Sequence, residues 1–318
     1  MRVDLVYSLN HYLDHMLPIW QALPDDMKGE VHDREHPVRP PLRNRIALVG
    51  GWQDVQTLRP NHRMIYVEHG SGQTYAGDVK SALQPGYSGS GGFRHGGVEM
   101  FIAPNDAVAS RWQTAPAYAV GCPKMDQYVN GEQPAENAVC FAWHWESLIS
   151  PEARTAWWHY ASQLPDVVAF YKQQGFTVYG HAHPRWDGSL NTAMEDFGLT
   201  VLNSDREVFE KAEILFVDNS SIGMEFMSLG RPVVWLNAPW YRKSVNHGGR
   251  FWDWTQGIPS VDGADELLGM NLWDVLAFNY MSGSREAQRR HVDAVYKYHD
   301  GTSAQRAADF IAQRYADK

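Results

Sequence analysis

Ile214-Leu215-Phe216-Val217-Asp218-Asn219-Ser220-Ser221 joins an apolar run to a helical stretch that reaches Leu229. Four apolar residues stopped by small polar ones read as a buried strand, and the residues after Ser221 have helical spacing. Pro232 to Leu236 then reads as another buried strand, so this stretch is strand, helix, strand. A short crossover between two buried strands implies a parallel sheet and a right-handed connection. Ligands of such sheets bind outside the carboxyl ends of the strands, which is where Asp218 to Ser221 falls.

Working outward, the same alternation covers most of the chain. Val3–Tyr7, 46–49, 64–67 and 100–103 read as strands before the midpoint, and a helix is expected from about His11 to Leu23. Later strands are expected at 138–142, 177–179 and 200–202, and a helix from Asp205 to Ala212. A helix capped by Ser150, with Pro151 in its first turn, is expected to run through Trp157 and Trp158. The last 50 or so residues read as helices at 265–278, 285–298 and 304–315. The polar stretch 129–137, with its Gly and Pro, reads as an interdomain linker. The expected division is therefore 1–133 and 134–318, the second domain carrying the C-terminal helices.

Composition narrows the function classes. The chain has 318 residues, 44% of them hydrophobic and 20% charged, enough for two ordinary cores. Its formal net charge of -9 excludes nucleic-acid binding by global electrostatics while leaving room for a local basic groove around Arg94, Arg111 and Lys124. The cysteines, Cys122 and Cys140, are two isolated thiols, so neither a disulfide framework nor a zinc site is expected. No stretch has the roughly 20 apolar residues that span a bilayer, and the start lacks a signal-peptide pattern, so a cytoplasmic location is expected. The 13 tryptophans suit cores, sugars and bases alike.

The candidate chemistry sits on loops that follow strands. Asp218-Asn219-Ser220-Ser221 offers hydroxyls and a helix start to an anion such as a phosphate; equally, either serine is an ordinary helix cap. His183-Pro184 follows the 177–179 strand, with His181 two residues before it. Each is either a phosphate donor or a solvent-facing loop histidine. Glu68-His69-Gly70 ends the 64–67 strand, placing His69 to act as a general base with Glu68 beside it, or as a turn histidine. The glycine-rich stretch 84–97 reads as a surface loop. There is no Gly-Lys-Ser/Thr phosphate loop, dinucleotide fingerprint or His-Glu-x-x-His, so no metal and no cofactor is expected.

In order along the chain, five segments resemble the CDP-glycerol glycerophosphotransferase family of the teichoic-acid polymerase type, within the GT-B glycosyltransferase architecture. They are His69-Gly70; Gly121-Cys122-Pro123-Lys124-Met125-Asp126; His183-Pro184; Asp218 to Ser221 with Gly230-Arg231-Pro232; and Gly249-Arg250-Phe251-Trp252-Asp253 with Gly257 and Glu266-Leu267. The sequence departs from the family where Ser71-Gly72-Gln73-Thr74 replaces the usual Thr-Pro-Leu-Lys. The resemblance implies an α/β fold of two Rossmann-like domains facing a cleft, the first on the acceptor side, the second on the donor side.

It also implies a transferase that moves a glycosyl or glycerol-phosphate group from a nucleotide-diphosphate donor, UDP-sugar or CDP-glycerol, to an acceptor hydroxyl. His69 would be the base. His183, Asp218, Ser220, Ser221, Arg231 and Arg250 would hold the donor, with Arg242 a further candidate. The acceptor is a small hydroxyl compound or a polymer: a polyol phosphate, a glycan or hydroxymethylated-base DNA. A nucleotide-sugar epimerase and a non-catalytic carbohydrate-binding module are the alternatives kept open.

Overall fold

The computed structural model describes residues 1–34, 42–58, 61–69, 97–110, 112, 115–129, 134, 136–146, 154–241 and 258–316. The described residues numbered 1–129 and 293–316 form one compact unit, and those numbered 134–292 form the other.

The first unit is built on a parallel sheet of six strands: β1 (Val3–Tyr7), β2 (Lys28–Asp33), β3 (Ile46–Val49), β4 (Arg63–Val67), β5 (Val98–Ala103) and β6 (Ala117–Ala119), in the order β2-β1-β3-β4-β5-β6. β1 and β3 are fully buried at nearly every position, which is why they read as unbroken apolar runs. β2 is an edge strand with a polar sequence that shows no such run. It is tied in by Asp4, whose buried carboxylate accepts the N–H of Glu30 at 2.8 Å and the Asn44 side chain at 2.6 Å. Helices α1 (Asn10–Ala22), α2 (Trp52–Leu58) and α3 (Asp106–Ala109) follow β1, β3 and β5.

The second unit repeats the plan. Its strands are β7 (Ala138–Trp143), β8 (Thr177–Ala182), β9 (Thr200–Leu202), β10 (Ile214–Val217), β11 (Val233–Leu236) and β12 (Ser260–Val261), all parallel in the order β12-β11-β10-β7-β8-β9. Its helices are α4 (Trp157–Tyr160), α5 (Leu164–Gln173), α6 (Ser189–Asp196), α7 (Asp205–Lys211), α8 (Ile222–Ser228), α9 (Ala264–Leu268) and α10 (Leu272–Tyr280), followed by α11 (Ser282–Val295). The chain lays β7, β8 and β9 in one direction, then returns to place β10, β11 and β12 on the other side of β7. The switch point, where such sheets open a crevice for ligands, therefore lies between β7 and β10.

One expectation is corrected. The C-terminal helices do not all belong with the second unit: α12 (Ser303–Tyr315) packs on α1, and its Ala304, Ala307, Ala308, Ile311 and Tyr315 join the core of the first. The Gly121 to Asp126 segment explains the return. The Asp126 carboxylate accepts the N–H groups of Ser303 at 3.0 Å and Ala304 at 2.7 Å, satisfying donors that the first turn of α12 leaves open. Gly121 has φ +97, and a Cβ there would lie 2.4 Å from the carbonyl of Tyr298, so only glycine lets the two segments meet. The expected 265–278 helix is two, interrupted at Gly269. The Ser150 cap, the linker residues 130–133 and the loop 84–96 lie outside the described residues. Among those described, no helix is long and apolar enough to cross a membrane.

Candidate functional site

The carboxyl ends of β7, β8 and β10 bring His144, His183 and Asp218 into one neighbourhood. Asp218 is 1% exposed, and its carboxylate faces inward. It accepts the N–H of His144 at 2.9 Å, the hydroxyl of Thr155 at 2.9 Å and the N–H of Ala156 at 3.0 Å, besides a backbone bond from Ser220. Burial outweighs these donors and pushes its carboxyl up to about 7. Asp218 therefore joins three chain segments across the switch point, and its oxygens are occupied by the protein's own donors. As a direct donor ligand it is corrected: it builds the site from beneath.

His144 escaped the sequence reading. It is the first residue after β7, 5% exposed, and its Nδ1 lies 3.1 Å from the carbonyl of Trp145. That contact places the proton on Nδ1 of the neutral ring and leaves Nε2 an acceptor. His183 is the converse. Its Nδ1 accepts the N–H of Arg185 at 3.1 Å, so the neutral ring carries its proton on Nε2. The two rings stand 5.3 Å apart, nearly edge to face. The two rings thus take opposite neutral tautomers at the carboxyl end of the sheet.

Ser220 is buried and Ser221 half-buried at the start of α8. Ser221 precedes the helix in a helical conformation and makes no side-chain cap, so its hydroxyl is not engaged as the cap that its position suggested. The α8 helix itself is buried throughout, which fixes the direction of its first turn.

Other candidates separate from this group. His181 is buried on β8, bonded through Nδ1 to the Leu202 carbonyl and through Nε2 to Asp205, each at 3.0 Å, and so holds β8, β9 and α7 together. Arg231 is also corrected. It precedes β11 and lies at the amino end of the sheet, away from Asp218, where its guanidinium bonds the carbonyls of Phe209 and Ala212. That makes it a strut for the turn after α7. Arg242, Arg250 and Gly70 fall outside the described residues, as do Arg94 and Arg111. Lys124 is buried in the first unit.

In the first unit, His69 follows β4, and its ring meets Tyr12 edge-on at 4.5 Å. His11 and His15 of α1 stand 6.0 and 6.4 Å from it. Glu68 donates its N–H to the Ile102 carbonyl, which holds the start of this loop on β5. The imidazole thus lies half-exposed in an aromatic surround at the carboxyl end of the first sheet.

No protein-family model and no curated protein matches the chain. Solved structures do match. A variant of the wall teichoic acid polymerase TagF superposes with a TM-score of 0.67 at 15% identity, covering 100% of this chain and 89% of that one. A UDP-N-acetylglucosamine 2-epimerase described as putative, from Listeria monocytogenes, matches with a TM-score of 0.60 at 12% identity over 100% and 97% of the two chains. The S. aureus MnaA–UDP co-structure gives 0.57 at 12% identity, covering 99% and 97%. With two parallel six-stranded α/β units, the chain has a GT-B-like fold.

Proposed function

We propose that this chain is a transferase that takes a nucleotide-diphosphate donor at the second unit and moves its glycosyl or glycerol-phosphate group to an acceptor hydroxyl. The observation that carries this reading is the meeting of His144 and His183 at the switch point, organised by the buried Asp218, which the backbone of Ser220 also bonds. Imidazole N–H and serine hydroxyls suit the oxygens of a diphosphate leaving group, whose growing charge must be stabilised during transfer. His69, with Tyr12 against its ring, takes the acceptor proton. The donor is a substrate, and the chemistry asks for no further cofactor. Similarity to TagF, solved in one case after a soak with CDPG, and to MnaA, solved with UDP, supports nucleotide-activated donors of either base.

The test is to incubate the protein with CDP- and UDP-linked donors, with and without acceptor alcohols, and to identify the nucleotide released. Release that depends on an acceptor supports transfer; no release from any donor removes the reading.

A second reading is a nucleotide-sugar epimerase, favoured by near-complete coverage of the 2-epimerases, 97% and 100% of their length in two cases. It predicts conversion of a UDP-sugar to its epimer with no second substrate present.

A further inference from the structure

Trp112, Trp143, Trp157 and Trp235 are core residues, but Trp158 is 58% exposed. It stands in α4, in the segment after β7, and its ring lies 6.5 Å from that of Trp186, on the turn after β8, at an angle of 63°. Both indole N–H groups are engaged by the protein: Trp158 bonds the Glu146 carboxylate and Trp186 the His144 carbonyl, each at 3.1 Å. A tryptophan whose polar edge is bound to the protein and whose ring remains in water turns apolar face, not edge, toward solvent. Such exposure of a large flat surface marks a binding site more often than a packing defect. Trp145, half-buried beside His144 and His183, carries the Arg185 guanidinium over its ring at 4.8 Å.

The polar groups beside these rings select the occupant. Arg154 is paired with Glu146, Arg185 is stacked on Trp145, and Asp187 is exposed next to Trp186. A single-stranded nucleic acid needs a track of cations for its phosphates, and here each arginine is accompanied by a carboxylate or a ring, in a chain of net charge -9. A pyranose needs the opposite: a flat apolar face for its C–H side, and planar carboxylate and guanidinium groups for its hydroxyls.

We propose that Trp158 and Trp186, with Trp145 beside them, form a saccharide-binding platform next to the His144–His183 site. The sugar stacks on the indoles, while Glu146, Arg154 and Arg185 bond its hydroxyls. Its service as the acceptor subsite rests on the transferase reading; the binding of sugar does not.

The experiment titrates the full chain, without donor, with chitohexaose, cellohexaose, maltohexaose and a twelve-residue oligo-dT, following calorimetric heat and tryptophan fluorescence. At least one hexasaccharide is expected to bind. Trp158→Ala and Trp186→Ala each weaken it roughly tenfold or more, Trp158→Phe keeps most of the affinity, and Trp273→Ala, an exposed tryptophan elsewhere, changes nothing. Because Trp158 is largely in water, its alanine variant keeps the fold, and far-ultraviolet circular dichroism checks this. No binding of any hexasaccharide, tighter binding of oligo-dT than of every sugar, or undiminished affinity in both alanine variants overturns the proposal. Donor turnover in the same preparations judges the transferase reading separately, since sugar binding without nucleotide release leaves the platform standing alone.

Discussion

The Asp218 carboxylate accepts the backbone N–H of His144 at 2.9 Å, across the point where the second sheet reverses its strand order. Through this bond a residue at the end of β10 sets the course of the chain leaving β7. The histidine that faces the site is thus placed by an acid that does not face it.

Replacing Asp218 with Asn puts an amide NH₂ among donors that need an acceptor. The expected cost is about 1–3 kcal/mol, because a buried donor is left unsatisfied. Urea unfolding of Asp218→Asn against the native protein measures it.

The same carboxyl gives a pH signature. Its folded value of about 7 lies above the ordinary carboxylate range, so the folded state holds this proton more tightly than the unfolded state. The stability it contributes is greatest below about pH 4, falls as pH rises toward 7, and is flat above. In a pH series of unfolding free energies, the difference between native protein and Asp218→Asn should shrink over that interval.

His183→Ala removes an imidazole N–H from the proposed diphosphate. Donor KM should rise about 10–100-fold, the worth of a hydrogen bond to a charged group. Ser221→Ala should cost less, roughly tenfold. Steady-state kinetics with the donor identified above supply both values.

His69→Ala should lower kcat about 10²–10⁴-fold, the range of a general base, while the donor Kd stays within a factor of about two. A loss of donor binding equal to the loss of turnover would remove His69 as the base.

Asp126→Ala uncaps α12 and should cost the first unit about 0.5–2 kcal/mol. Hydrogen exchange locates the effect: protection should fall first in residues 303–315 and in α1, on which they pack.

Both sheets were legible because parallel strands buried on two faces are apolar runs, and eight of the twelve strands have that form or near it. The edge strand β9 was expected at 200–202; the three that were missed are the other edges, β2, β6 and β12. The last two are only 3 and 2 residues long, while β2 is polar and held by Asp4, a contact no local pattern reveals. At the site, the position of Asp218 was readable and its role was not, since its partners His144, Thr155 and Ala156 lie 62 to 74 residues away. His144 had a signal that went unused: it stands directly after a fully buried strand, on the end where ligands bind. Arg231 had the converse signal, standing before its strand and so at the wrong end.

The bond from Asp126 to the start of α12 also orders events during synthesis. Residues 303–315 leave the ribosome only after all of 134–292 has emerged, so the second unit can complete its core while the first still waits for Ile311 and Tyr315. The half of the protein made first is the half finished last. Until then the side of α1 that receives α12 is open to whatever holds nascent chains.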